Sequence, residues 1–265
     1  VDQGAKVIME KIFIQNRRGL KIAVAVDKPE SPVGLAFVMP GLAGFKEKTT
    51  TATQRRSFFD SHYISVSFDP TNSLGESGGD FADATTTNYY EDLEDVISWA
   101  AKQKWYQEPF VLCGHSLGGL CVALYAEKYP ERVKALAPLA TTISGNMLWA
   151  GKDQAELAEW KKNGFRVYVS GAKPGVVKNF KWSFMKDVLQ YDILKEVKKL
   201  TMPVLLISGE FDKSEKLASQ QLLFDRLPTA QKELHIIPGA PHTWREEKHL
   251  QASYDIISQW LKKIK

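Results

Sequence analysis

Residues 114–118, Gly114-His115-Ser116-Leu117-Gly118, match G-x-S-x-G, a spacing that presents a serine hydroxyl at a sharp strand-to-helix turn. Glycines on either side let strand and helix approach where a Cβ would collide, so only the serine needs to project. A serine hydroxyl is a weak nucleophile at neutral pH. It needs a positioned base, and the base needs a carboxylate that fixes its tautomer and stabilises the imidazolium. Five histidines are available. His115 belongs to the turn itself and is expected to point away from the base position. His62 lies at a helix-strand junction ahead of the serine, His235 falls inside a strand, and His249 sits on the last helix with solvent expected around it. His242 stands in the loop Pro238-Gly239-Ala240-Pro241-His242. Beyond the serine, Asp212 directly follows a strand, with Glu210 two residues earlier as its rival. The plainer alternatives are a Gly-rich turn without chemistry and an unpartnered loop histidine.

The elements that must hold these residues can be read from apolar spacing. Val7 to Ile14 and Leu20 to Val26 are β-rich runs joined around Asn16-Arg17-Arg18-Gly19, a hairpin signal that predicts an antiparallel start to the sheet. Gly34 to Met39, Tyr63 to Phe68, Pro109 to Cys113, Val133 to Leu139, Pro203 to Ser208 and Gln231 to Ile237 read as further strands; the uninterrupted apolar runs mark strands covered on both faces. Helices are expected over Glu47–Phe59, Asn88–Lys102 with Glu91 and Asp92 in its first turn, Leu117–Tyr129, and Glu246–Lys262 with Leu250, Tyr254, Ile257 and Leu261 on one side. This alternation implies an α/β fold with right-handed crossovers and a mainly parallel sheet. The stretch from about Thr141 to Tyr191 interrupts it. It contains a helical segment at Asp153–Lys161, then strand-like Phe165–Ser170 and Val176–Phe184 separated by Lys173-Pro174-Gly175, and reads as a small cap inserted between two sheet strands. Its Trp149, Trp160 and Trp182 are candidates to line a substrate pocket; docking the insertion on the main domain calls for the same side chains.

With its strand-turn-helix setting, the motif resembles the nucleophile turn of the α/β-hydrolase superfamily, and the resemblance runs over nearly the whole chain, 1–265, as one domain. The small cap and Asn72-Ser73-Leu74-Gly75-Glu76-Ser77-Gly78-Gly79 look most like the cinnamoyl/feruloyl-esterase and lysophospholipase-like serine esterases. The resemblance implies a mostly parallel eight-stranded sheet with helices on both faces, and the chain order serine, acid, histidine, hence Ser116, Asp212 and His242. It also implies an oxyanion hole from two backbone N–H groups, by position those of Leu42 and Leu117. Here the chain departs from the family's pattern: Pro40 opens Pro40-Gly41-Leu42-Ala43-Gly44 where a histidine is common. Haloacid and epoxide chemistry on this fold would want an Asp at 116. The expected activity is therefore carboxylic-ester hydrolysis on a small-molecule ester, with aryl or cinnamoyl esters in view. Thioesterase, lysophospholipase, peptidase and acyltransferase activities, or a hydrolase-shaped binding protein without catalysis, are the alternatives.

The totals set bounds. A length of 265 residues suits one large α/β domain. Lys and Arg total 35 against 31 acids, a formal charge of +4 with no aromatic-interleaved basic stripe, which argues against nucleic acid as a partner. Lys195–Lys199 and Lys262–Lys265 read as solvated helix faces. The two cysteines, Cys113 and Cys121, flank the turn and read as buried free thiols, which fit a reducing, cytoplasmic compartment. His and Cys do not recur at ligand spacing, so neither a metal nor a cofactor is expected. No apolar run approaches the roughly 18 to 20 residues of a membrane span. The chain begins at Val1, so a trimmed leader stays open, as does the oligomeric state. Asp69 and Ser77 are expected to serve the backbone of their own loop.

Overall fold

The computed structural model describes residues 9–171 and 173–264. Val1, Lys265 and the first two residues of the run expected from Val7 lie outside the described residues. In chain order the elements are β1 (Met9–Gln15), β2 (Lys21–Asp27), β3 (Gly34–Met39), α1 (Thr49–Asp60), β4 (Tyr63–Asp69), α2 (Thr86–Ala100), β5 (Phe110–His115), α3 (Leu117–Lys128) and β6 (Val133–Leu139). Then come α4 (Gly145–Ala150), α5 (Gln154–Asn163), β7 (Phe165–Val169), β8 (Val177–Lys181) and α6 (Ser183–Val188), and finally β9 (Val204–Gly209), α7 (Leu217–Arg226), β10 (Lys232–Ile237) and α8 (Glu247–Leu261). Eight strands form one sheet in the order β1-β2-β4-β3-β5-β6-β9-β10. β1 pairs antiparallel with β2 and β2 antiparallel with β4, while the other pairs are parallel, so β2 alone runs against its neighbours.

The apolar strands fill both faces of this sheet. Leu35, Phe37 and Met39 of β3 join a core with Tyr89, Leu93 and Val96 of α2 and Leu120 of α3. Ala36 and Val38 point the other way, into a second core with Phe58 of α1 and Ile257 and Trp260 of α8. The alternation follows from the two-residue period of a strand, and each fully buried large side chain stabilises the sandwich by roughly 1.5–3 kcal/mol. β5 lies near the middle of the sheet, which puts its carboxyl end at the centre of one edge of the molecule.

Several local expectations are corrected. The second strand of the inserted hairpin stops at Lys181, and Ser183 to Val188 is helical instead of continuing as strand to Phe184. Phe184, Met185 and Val188 are buried at the three- and four-residue spacing of a helix face, which outweighs the local β propensity. Helices α4 and α7 carry no expectation above. Helix α2 begins at Thr86, capped by Thr85, so Glu91 and Asp92 fall beyond its first turn. Asp92 is buried and accepts from Thr71 and Asn16. Helix α8 is turned by about one residue from the face expected. It buries His249, Ser253, Ile257, Trp260 and Leu261, and His249, expected in solvent, is 1% exposed with neither ring nitrogen hydrogen-bonded. Among the described residues, no helix is long and apolar enough to cross a membrane.

Candidate active site

The turn at 114–118 is set by close backbone contact. A Cβ on Gly114 would stand 2.3 Å from the Gly118 carbonyl oxygen, and one on Gly118 would stand 2.5 Å from that of Pro40. Neither contact can be relieved by moving a side chain, so both positions exclude any larger residue. Between them Ser116 takes φ 57° and ψ −119°, a conformation disfavoured for a residue with a Cβ. Its N–H donates to Leu139 O of β6 at 2.9 Å. The strain therefore holds the hydroxyl off the end of β5, at the amino end of α3, where the helix dipole is positive.

Two loops from the neighbouring strands bring the partners. Asp212 follows β9 and is 7% exposed. Its Oδ1 accepts from the N–H groups of Ser214 and Glu215, both at 2.8 Å, and its Oδ2 lies 2.7 Å from His242 Nδ1. His242 follows β10, and its Nε2 lies 2.9 Å from Ser116 Oγ. An ionised carboxylate can only accept, so Nδ1 carries the imidazole proton, and Nε2 offers its lone pair to the serine hydroxyl. Residues 116, 212 and 242 thus form one continuous hydrogen-bonded chain. Glu210 stands elsewhere: its carboxylate accepts from the Gly239 N–H at 2.7 Å. His235, on edge strand β10, pairs with Glu233 at 2.8 Å.

His115 contributes to the site without reaching Ser116. Its Nε2 lies 2.9 Å from the His242 carbonyl oxygen, and its ring packs at 5.7 Å edge-on against Trp244, which is fully buried. Burial, with the nearby His242 and Lys48 adding to it, holds the His115 imidazole well below its usual range. It is therefore neutral and donates through Nε2, tying the His242 loop to β5. Nothing in the sequence marks this role, because the two residues meet only when β10 joins the sheet.

The Pro40–Phe45 loop runs beside the serine: a Cβ on Gly41 would meet the Ser116 Cβ at 3.1 Å. The loop closes on itself through Gly44 N–H to Gly41 O at 2.8 Å, and Ala43 N–H donates to the Tyr89 hydroxyl at 3.2 Å. Among the described residues the N–H groups of Leu42 and Leu117 have no backbone partner of this kind, and Leu117 opens α3, where the first-turn N–H groups lack intrahelical acceptors. The loop is anchored at Lys46, fully buried, whose N–H donates to Asp69 at 2.6 Å. The carboxylates of Glu47, Asp69 and Glu76 converge there as a cation site would require, and the Lys46 ammonium already occupies the centre, at 2.7, 3.0 and 2.6 Å from them. Asp69 also accepts from Glu76 N–H, and Ser77 donates to Asp69 O, so both side chains hold backbone of their own loop.

A cavity of about 280 Å³ opens over Ser116 and His242, lined by Leu42, Leu117, Leu148, Trp160, Phe180 and Phe184 among others. Trp160 is the member of the expected tryptophan trio in this lining. Trp149 and Trp182 pack on each other with ring centroids 5.6 Å apart, and Trp182 packs on Trp160 at 5.3 Å. Trp160 Nε1 donates to Phe180 O at 2.8 Å, and Phe180 stacks on Phe81 of the main sheet's loops at 5.0 Å. The aromatics of the 145–188 segment therefore dock it and, through Trp160 and Phe180, wall the cavity. Cys113 and Cys121 are both buried and unpaired.

With these features in place the chain belongs to the α/β-hydrolase fold family, whose model matches residues 34–172. A serine aminopeptidase (S33) model matches residues 166–249. An uncharacterised 31.7 kDa protein of Escherichia coli is 25% identical over 239 residues, covering 78% of this chain and 83% of that one. The human mitochondrial palmitoyl-protein thioesterase ABHD10 is 23% identical over 238 residues, covering 89% and 75%. Among solved structures, Est1E from Butyrivibrio proteoclasticus with ferulic acid bound superposes with a TM-score of 0.80 at 20% identity, over 95% of this chain and 98% of that one. Mouse ABHD10 does so with a TM-score of 0.79 at 18% identity, over 97% and 100%. The neighbours thus include an esterase and a thioesterase fold.

Proposed function

We propose that this protein is a serine carboxylic-ester hydrolase that works through an acyl-enzyme. The observation that carries the reading is the single imidazole of His242 bridging Asp212 at 2.7 Å and Ser116 at 2.9 Å. Ser116 Oγ attacks the ester carbonyl while its proton passes to His242 Nε2, and Asp212 stabilises the imidazolium. The carbonyl oxygen, now negative, faces the N–H groups of Leu42 and Leu117, with the amino end of α3 behind the second. As the tetrahedral species collapses, the C–O bond to the alcohol breaks and the imidazolium returns its proton to the leaving oxygen. Water then repeats the sequence: it gives a proton to Nε2, attacks the acyl carbon, and releases the acid and Ser116. The 145–188 segment serves as a cap, with Trp160 as a wall of the acyl pocket and Trp149 and Trp182 bracing it from behind.

The cavity of about 280 Å³ lies just below the roughly 300–1,000 Å³ usual for ligand pockets, and so favours a short acyl chain or one aryl ring, as in a cinnamoyl-type ester, over a long fatty acyl chain. A thioester is the second reading, favoured by the palmitoyl-protein thioesterase relative. The same three residues would serve it. The test is labelling by a fluorophosphonate together with turnover of matched butyryl aryl esters, thioesters and anilides. Wild type should label and hydrolyse the ester, and Ser116→Ala should do neither. Undiminished ester turnover in Ser116→Ala would overturn the assignment.

A further inference from the structure

The cavity over Ser116 is lined by Lys48, Lys152, Arg166 and Arg245, and by one acid among the described residues, Glu215. These cations come from separate places in the chain. Lys48 precedes α1, Lys152 and Arg166 belong to the 145–188 segment, and Arg245 lies three residues past His242. A net charge of only +4 does not by itself gather four cations in one cavity. None of the four forms an ion pair or a side-chain hydrogen bond among the described residues. By contrast, Lys11, Lys46, Arg17, Arg55 and Arg132 each lie against a carboxylate.

The arrangement is costly. Burial, then repulsion from Arg245, lowers the Lys48 ammonium to about 8. Lys152 is lowered by burial and by Arg166, against the weaker pull of Glu215 and Glu156. Arg166 spreads its guanidinium over the Trp160 ring at 4.3 Å, yet its Nε is buried without a partner. Glu215 offsets these charges only weakly: burial pushes its carboxyl up to about 8, and it accepts from Thr142 Oγ1 at 2.6 Å. Like charges held together at a cavity wall, with a buried donor left open, are what an anion would relieve.

We infer that the substrate carries, besides its scissile ester, a carboxylate or phosphate-like group a few bonds from the reacting carbonyl, held by Lys48, Lys152, Arg166 and Arg245. This rests on the serine-hydrolase reading and names the substrate class for it. The apolar wall of Leu42, Leu117, Leu148, Phe180 and Phe184 takes the stem between the two ends.

Three pairs of substrates, each an anion and its methyl-ester twin, test it. They are p-nitrophenyl hydrogen adipate with p-nitrophenyl methyl adipate, p-nitrophenyl 5-phosphonopentanoate with its dimethyl ester, and 4-carboxybutyl butyrate with its methyl ester. The first two separate carboxylate from phosphonate, and the third moves the charge to the alcohol. At low ionic strength, kcat/KM for at least one anion should exceed its twin at least tenfold, and 1 M salt should erode the ratio. Lys152→Met and Arg245→Met should each cut that ratio severalfold. If all three neutral twins react as fast as the anions, the anion site is refuted while the esterase reading stands. If no ester reacts and the fluorophosphonate does not label, the esterase reading falls. Calorimetry with monomethyl adipate and dimethyl adipate then decides the anion site alone, and equal or absent binding of the two refutes it.

Discussion

Replacing Asp212 by Asn isolates the electrostatic and tautomeric work of the acid while keeping its shape. Asp212 Oδ1 is held by two N–H donors at 2.8 Å, from Ser214 and Glu215. In Asp212→Asn the amide oxygen must stay on those donors, because an NH₂ group facing them would bring donor against donor. The amide NH₂ is then forced into the position 2.7 Å from His242 Nδ1. Facing a donor, Nδ1 must accept, so the ring proton moves to Nε2, which can no longer take the Ser116 proton. A wrong tautomer of this kind lowers kcat by about 10⁴-fold, equivalent to about 5.4 kcal/mol of transition-state stabilisation. Folding should be little affected, since both backbone donors stay satisfied. The assay is kcat on p-nitrophenyl butyrate, normalised to intact protein by circular dichroism, with Glu210→Gln as the control. The Gly239 N–H can still donate to the glutamine oxygen, so the control should stay within about threefold of wild type. An Asp212→Asn protein within tenfold of wild type would refute the assignment, and a large loss in Glu210→Gln instead would move the acid two residues upstream.

Two further perturbations probe what holds the site. Lys46→Met leaves the fully buried Asp69 without its cation, and removing one partner of a buried pair costs about 3–5 kcal/mol; at about 2–4 °C per kcal/mol for a domain of this size, Tm should fall by about 10 °C, and a shift under 2 °C would show the network to be dispensable. Glu127, near the end of α3, is pushed up from 4.5 to about 8 by burial, with Glu196 and Asp192 adding to it against Lys199. Between those values the folded state keeps a proton the unfolded state has lost, so stability from this group falls as pH rises through that window and is level above it. Glu127→Gln removes that slope. Its stability relative to wild type should rise between pH 5 and pH 9 by up to about 4 kcal/mol in urea titrations, and an unchanged difference at the two pH values would contradict the buried-acid account.

What could be read from sequence divides along physical lines. Parallel strands buried on both faces leave continuous apolar runs, so β3, β4, β5, β6 and β9 were legible to within a residue or two. The turn at Ser116 was legible because its constraint is local: glycines at 114 and 118 record a backbone contact between adjacent elements. The pairing of Ser116, His242 and Asp212 needed the family's chain order as well, since spacings of 126 and 30 residues carry no periodic signal. The strand read over Val176–Phe184 runs two residues into α6, because Phe184, Met185 and Val188 take their conformation from the core they enter. The face of α8 was misjudged because Leu250 and Tyr254 outrank His249 and Ser253 in hydropathy but not in position over the sheet.

The cations of the cavity form the opposite case to the turn. Lys48, Lys152 and Arg245 each sit in a polar stretch indistinguishable from a solvated loop, Arg166 alternates with the apolar residues of β7, and each alone is worth little at a surface. Convergence changes their energy, because an apolar wall lowers the local dielectric around cations that, among the described residues, have no carboxylate paired with them. A steric requirement between neighbours in sequence is written into residue type. An electrostatic arrangement made by four distant residues is written only into the fold, which is why the turn at Ser116 was legible in the sequence and the grouping of the cavity's cations was not.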